Sequence, residues 1–300
     1  MFTLGSKVCI YGKGHFQEAD MIRPICDLKP EHIPSGYFSG ISSEEYHNGP
    51  LSTAVSSTGV RDALVTAAHY FARNVERKAQ RKETPAMRFG TLVHSALLEP
   101  HDFMKRAAVQ PDFGDCRSTK NRAEKNDWLT ENAGRLIVTA EEYERLSAMI
   151  EAVWKQPNVK ALVSGGHAEA SGYFRHPNGI HCRTRPDYLK PGMIVDLKTT
   201  SDASYAGFQK SVANYGYHVQ AAMYLMGHKI MESETAEFVF LAVESEYPHA
   251  LAAYRLDPEA IAKGTSQMEL AIERIAECMK TRIWPGHPEG VQLMCLPAWA

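Results

Sequence analysis

An aspartate and a lysine two residues apart inside an apolar run, Ile194-Val195-Asp196-Leu197-Lys198, constrain this chain more than any other stretch. A buried strand normally carries neither group, because an ionised side chain taken from water without a partner is very costly. Alternate residues of a strand share a face, so Asp196 and Lys198 point one way and Val195 and Leu197 the other. Ahead of them runs the arm Arg185-Pro186-Asp187-Tyr188-Leu189, followed by a Lys-Pro-Gly turn signal that folds it back alongside. If Leu189 and Ile194 close a four-residue loop, Asp187 stands opposite Asp196 on one face. A three-residue loop puts them on opposite faces, and then only a bulge restores the pair. In the first register two carboxylates and a lysine converge at one end of a sheet. Close carboxylates repel unless a cation sits between them or one is protonated. Hard oxygen donors suit Mg2+ or Mn2+, which bind phosphate oxygens and lower the pKa of water. The lysine would orient that water or neutralise charge in the transition state. The same spacing also occurs as a plain ion pair on an edge strand.

Composition narrows the classes. Of the 300 residues 44% are hydrophobic, enough core for one large domain or a domain with a helical elaboration. No apolar run reaches membrane-spanning length, and the first residues lack the apolar stretch and cleavage site of a secretory signal. A soluble, cytoplasmic protein is expected, with no membrane partner. The six cysteines (9, 26, 116, 182, 278 and 295) form no CxxC pair, which argues against a zinc ribbon, an iron–sulfur cluster or a disulfide scaffold. No nucleotide cofactor is expected. A net charge of −2 leaves any nucleic-acid binding to local patches.

Residues 1–35 are punctuated by glycine and proline and read as an N-terminal extension of unknown role; 36–300 read as a single domain. Apolar spacing predicts a helix from Gly59 to Gln80, and a second through Phe89–Pro100 with Thr91 as a cap and Pro100 closing it. Further helices are expected near 119–133 and after Thr139, which with Glu142 forms a capping-box pattern. Three short β-type runs lie between His167 and Thr200. Helices over 204–213 and 216–228, two strands within Phe238–Leu256 and a long amphipathic helix over 258–280 complete the chain. The predicted class is α/β (α+β), a small mixed β-sheet flanked by helices with an N-terminal helical region.

The Pro186-Asp187 … Asp196-Leu197-Lys198 arrangement resembles the PD-(D/E)xK nuclease superfamily. Its surroundings resemble one branch in particular, the C-terminal nuclease domain of the RecE (exonuclease VIII) family. The matching stretches are ISSEEYHNGP, FGTLVHSALLEP, HAEASGYF, HCRTRPDYL, IVDLKTT, YGYHVQAAMYL, FVFLAVE and LPAWA, in the family's order from about Tyr37 onward. The resemblance implies that His94, Asp187 and Asp196 are metal ligands, joined by the Leu197 carbonyl, and that Lys198 is the catalytic lysine. Gln220 and Tyr224 match the family's QxxxY element; at i, i+4 they share one helix face, where they would position DNA or a water. Glu169 is a further carboxylate for the same site. The implied activity is Mg2+-dependent digestion of linear double-stranded DNA, 5′→3′, leaving 3′ single-stranded tails for phage-type recombination. A RecT-like single-strand annealing partner, a ring-shaped homo-oligomer and a phage or prophage origin in a bacterial cell go with it. Two alternatives stay open: a structure-specific or restriction-type endonuclease of the same superfamily, and a non-catalytic DNA-binding protein that keeps the fold.

Each of these residues also has an ordinary structural role open to it. His94 on an apolar helix face serves equally as a hydrogen-bonded, half-buried histidine. Arg73, Arg77 and Arg81 form a cationic stripe if helical, and such a stripe either tracks phosphates or is a solvated helix end. Arg183 and Arg185 share a face with Asp187 by alternation and are the better candidates for gripping phosphate, since the guanidinium fork matches its oxygens. His167, His176 and His181 are expected at the surface.

Overall fold

The computed structural model describes residues 10–11, 35–79 and 82–296. In chain order it begins with β1 (Ile10–Tyr11), β2 (Gly36–Phe38), α1 (Ser43–Asn48), α2 (Ser57–Val65) and α3 (Ala67–Tyr70). Then come α4 (Pro85–Leu98), α5 (Pro100–Arg106), β3 (Ala107–Val109), α6 (Thr119–Glu131), β4 (Leu136–Val138), α7 (Ala140–Lys155) and α8 (Pro157–Leu162). The strand-rich centre is β5 (His167–Ala168), β6 (Ser171–Arg175), β7 (His181–Thr184), β8 (Tyr188–Lys190) and β9 (Met193–Thr200). The chain continues through α9 (Tyr205–Tyr215), α10 (Tyr217–Glu232), β10 (Glu237–Glu244), β11 (Leu251–Tyr254) and α11 (Pro258–Thr281).

The central sheet has the order β11-β10-β9-β8-β5, with β9 and β10 parallel and the remaining pairs antiparallel. Strand β10 is apolar almost throughout because both of its faces are covered. On one face Ile194, Phe238, Phe240 and Ala242 pack with residues of α2, α10 and α11. On the other, Val195, Leu197, Leu241 and Val243 pack with α4 and α7. A second sheet, β1-β2-β6-β7, joins the first cluster through Tyr37, Phe174 and Cys182, and a parallel pair, β3-β4, joins the second through Val138. The α/β class is as expected, although the region between His167 and Thr200 forms five strands rather than three.

The helix expected over Gly59–Gln80 is two helices. Thr66 is extended (φ −160°, ψ 160°), ending α2, and its hydroxyl then caps α3 by accepting the His69 N–H at 3.2 Å. A π-turn over Phe71–Val75 follows, and Arg77 takes a left-handed φ of 56°. The expected arginine stripe therefore has no continuous helix to run along. Arg73 pairs with the buried Asp62 at 2.7 Å and Arg77 donates to Ser52 Oγ at 2.5 Å, while Arg81 lies outside the described residues. Helix α4 is capped by Thr84, ahead of Pro85 at its first position; Thr91 sits inside it, and Pro100 opens α5. The Thr139–Glu142 capping box is present, with Arg88 of α4 binding the Glu142 carboxylate. His176 is buried, not at the surface, and pairs with Glu269 at 2.9 Å. Of the N-terminal extension only β1 is described before residue 35, and of LPAWA only Leu296. No helix among the described residues is long and apolar enough to cross a membrane.

Candidate metal centre

The hairpin that opened the question closes on two residues. Lys190 pairs with Met193 and Leu189 with Ile194 across Pro191-Gly192, and Gly192 takes φ 69°, a conformation that side chains resist. This is a tighter turn with the parity of the four-residue case, and the register extended by one residue sets Asp187 opposite Asp196. One step further, Pro186 falls opposite Leu197. A proline has no N–H to give the Leu197 carbonyl. The Leu197 N–H is taken by the Asp187 carboxylate instead, at 2.6 Å from Oδ2. The ladder thus stops at Tyr188, and Asp187 acts on the strand edge through its side chain.

Asp187 turns toward α4, where His94 Nδ1 lies 3.4 Å from its Oδ1. Strand β5 brings the third group. Its register with β8 places Glu169 opposite Asp187, and the Glu169 N–H donates to the Asp187 carbonyl at 3.1 Å. Glu169 itself is left-handed, φ 51°, which is uncommon outside glycine and marks a position held by its surroundings. His94, Glu169 and Asp187 each present a donor atom, and the three atoms lie within 4.8 Å of one another. One imidazole nitrogen and two carboxylates form a hard set that suits a small divalent cation.

Asp196 lies outside that trio. Its side chain is 1% exposed, with Oδ2 against the Lys198 ammonium and Oδ1 accepting from Gln220 Nε2 at 2.6 Å. Asp187 leaves the strand face at the ladder's end, whereas Asp196 stays on the face covered by α10, so the two carboxylates expected as joint ligands do not fall in one donor cluster among the described residues. Glu169 takes a place among the donors instead. Gln220 and Tyr224 do share one side of α10, as their spacing implies, but their partners are protein groups. Gln220 holds Asp196, and the Tyr224 hydroxyl donates to the Arg185 carbonyl at 3.2 Å, bracing the chain just before Pro186.

The two arginines are corrected as well. Arg183 is 8% exposed, donates to the Tyr46 carbonyl and lies over the Tyr46 ring. Arg185 binds Glu169 Oε2 at 2.7 Å and donates to the Ile41 carbonyl at 3.1 Å. Both guanidiniums are enclosed by the α1 segment rather than open to solvent, and of the two Arg185 reaches the donor cluster, through Glu169. Tyr217, which the sequence reading passed over, sets its ring 4.8 Å from the Lys198 ammonium. Its signal was an aromatic one turn before Gln220, on the side of α10 that faces β9.

Burial and neighbours separate the acids. Burial pushes the Glu169 carboxyl up to about 7, with the charge of Asp187 adding to the rise and Arg185 opposing it. Burial likewise lifts Asp196 to about 6 against the pull of Lys198. Burial would raise Asp187 too, but His94, Lys198 and the Leu197 N–H together hold it below its ordinary value. His94 is held above its ordinary value despite burial by the charge and hydrogen bond of Asp187. Lys198, which burial would lower, is raised by Asp196 and Asp187 and stays charged.

Residues 56–297 match the family described as "PDDEXK-like domain of unknown function (DUF3799)". No curated protein matches the chain. Among solved structures, a candidate exonuclease from Eubacterium rectale superposes with a TM-score of 0.59 at 16% identity, covering 86% of this chain and 96% of that one. LHK-Exo in complex with dAMP gives a TM-score of 0.35 at 15% identity, covering 77% and 93%. A phage-related exonuclease from Haemophilus somnus 129PT gives 0.34 at 11%, covering 77% and 96%. The Eubacterium rectale likeness concerns the fold. The family match spans both arms of the hairpin, α4, β5 and α10, every element that brings a side chain to the centre, and the chain belongs to the PDDEXK-like domain family.

Proposed function

We propose that the protein is a divalent-metal-dependent DNA nuclease that digests linear duplexes from their ends. The observation that carries this reading is the separation of duties at one sheet end, three metal donors on His94, Glu169 and Asp187 beside a charged lysine fixed by Asp196. A binding protein has no need to set carboxylates where phosphates approach. Held by the donor trio, with the Leu197 carbonyl and Asp196 as the further ligands that the sequence resemblance implies, a Mg2+ or Mn2+ ion would supply Lewis acidity toward a phosphodiester and its attacking water.

The chain's own groups do the remaining work. Asp196 and the Tyr217 ring hold the Lys198 ammonium where it neutralises charge developing on the phosphate as the water oxygen bonds to phosphorus and the ester bond breaks. Gln220 keeps Asp196 in place, Arg185 orients Glu169, and Tyr224 fixes the backbone that carries Asp187. The exonuclease designation of the Eubacterium rectale structure supports end-dependent action, and the RecE-like sequence stretches support a 5′→3′ action that leaves 3′ tails for an annealing partner, with a ring-shaped homo-oligomer as the working form.

The test is cleavage of matched linear and covalently closed circular duplex DNA, with Mg2+ and with EDTA. Metal-dependent loss of the linear form alone is expected. Cutting of the circle would assign an endonuclease, and DNA bound but uncut in every arm would assign a non-catalytic protein.

A further inference from the structure

A cleft of about 450 Å³ opens beside Lys198, lined among others by Thr199 and Ser201 at the end of β9, Ser211 and Tyr215 of α9, and Tyr217 of α10. The three metal donors are not among its lining residues, so it adjoins the centre without being part of it. Its aromatic wall comes from the sequence Tyr215-Gly216-Tyr217, the corner between α9 and α10. Gly216 makes that corner with φ 64° and ψ 37°, a conformation that strains any other residue except asparagine or aspartate. A Cβ there would also press on the Arg61 side chain at 3.1 Å. The Arg61 guanidinium in turn donates to the Tyr215 carbonyl at 2.6 Å, which ties the corner to α2.

The two tyrosines differ in what holds them. Tyr217 is fixed: its ring meets Phe240 at 5.7 Å and Phe208 at 6.2 Å between centroids, and carries Lys198 at 4.8 Å. Tyr215 leans on Tyr217 at 5.6 Å and 33°, yet stays 59% exposed. It is an exposed aromatic, backed by a fixed ring, two ring contacts away from the ammonium that faces phosphate in the reading above. A single exposed tyrosine needs no explanation, but one built on a braced corner at the lip of a cleft beside a buried lysine has the makings of a platform.

We propose that Tyr215 is the stacking platform for the base of the nucleotide next to the phosphate that Lys198 faces, an assignment that rests on the nuclease reading. Every base has a π-face, so stacking on tyrosine holds DNA without reading its sequence, as an enzyme that digests a whole strand requires. A tyrosine restrained at its backbone loses little conformational freedom on binding. The hydroxyls of Thr199, Ser201 and Ser211 offer hydrogen bonds to sugar and phosphate, which position a strand but carry no sequence information.

The experiment is single-turnover cleavage of linear duplex DNA in Mg2+ by the full chain and by Tyr215→Ala, Tyr215→Phe and Tyr215→Trp. Tyr215→Ala is expected to need about tenfold more DNA for half-maximal rate, the loss of one base–aromatic stack, while Phe and Trp stay near the parent. The same proteins are then given duplexes with one abasic residue stepped through the nucleotides nearest the end. At the stacked position the parent falls by the same factor and Tyr215→Ala loses nothing further. An Ala penalty of equal size on every duplex would show a structural role and overturn the assignment, as would no penalty at all. A parent chain that cleaves no linear duplex would overturn the nuclease reading itself, and the platform with it.

Discussion

An ammonium and a carboxylate enclosed on one strand face depend on each other's charge. Lys198 and Asp196 are 15% and 1% exposed. Removing one member of such a pair is costlier than the pair is worth, because the other is left charged in poor solvent. Lys198→Met should reduce cleavage by roughly 10²–10³. It should also destabilise the fold at pH 8 by a few kcal/mol. The pH dependence has a definite sign. Asp196 is already raised to about 6 and rises further without its lysine. Its contribution to stability is therefore fully present at low pH and lost as pH rises through the folded value. Urea unfolding of Lys198→Met against the parent should show the deficit shrinking as pH falls from 8 toward 5; a deficit constant with pH would mean that Asp196 is not what the lysine neutralises. Glu169 supplies a second pH prediction. With its carboxyl at about 7 and His94 held above its ordinary value, both groups must shed protons before they ligate. Mn2+ affinity measured calorimetrically should climb with pH through about 7, with protons released to the buffer. Glu169→Gln should bind more weakly at pH 8 and show a shallower climb.

At the scale of elements, the site depends on where strands and helices stop. The β8–β9 turn sets which residues face each other, and a slip of one residue would send Asp196 and Lys198 to the α4 face. Gly192→Ala should cost about 1–2 kcal/mol in urea unfolding, the penalty of a left-handed alanine, and Gly192→Asn clearly less. The α4–α7 contact positions His94. Thr139→Ala removes one half of the α7 capping box and should cost about 1 kcal/mol, with Mg2+-dependent cleavage retained. This scale is also where the sequence misleads. The apolar period runs unbroken from Gly59 past Thr66, because Val60 and Ala63 of α2 and Tyr70 of α3 feed the same core cluster. The backbone breaks nonetheless, since Thr66 caps the second helix with its own side chain. Arg73 and Arg77 lose their common stripe through the π-turn over Phe71–Val75 and the left-handed backbone at Arg77. Ahead of α4 the sequence misleads too: the cap expected at Thr91 is instead Thr84, followed by Pro85.

For the whole molecule, the centre exists only when α4, β5, the β8–β9 hairpin and α10 are docked together, so a cation that binds it stabilises the entire fold. At a hundredfold excess over its dissociation constant Mn2+ should add about 2.7 kcal/mol. For a domain of this size that is a rise of roughly 4–5 °C in Tm. Asp187→Asn should abolish most of the rise in a calorimetric scan with and without EDTA; an unchanged rise would place the cation elsewhere. The sequence by itself determined the α/β class, the hairpin, and the placing of Asp196 and Lys198 on one face, because strand alternation and turn chemistry are local and leave a periodic record. It also brought Gln220 and Tyr224 to one helix side for the same reason. What only the tertiary structure decided is which groups meet across elements. Glu169 reaches His94 and Asp187 through a β5–β8 register that nothing local encodes, Arg183 and Arg185 are enclosed by the distant α1 segment, and Tyr217 finds Lys198 through helix-on-sheet packing. These contacts join residues far apart in the chain, and pattern in a sequence records the neighbours a residue has along the backbone, not those it gains when the backbone packs.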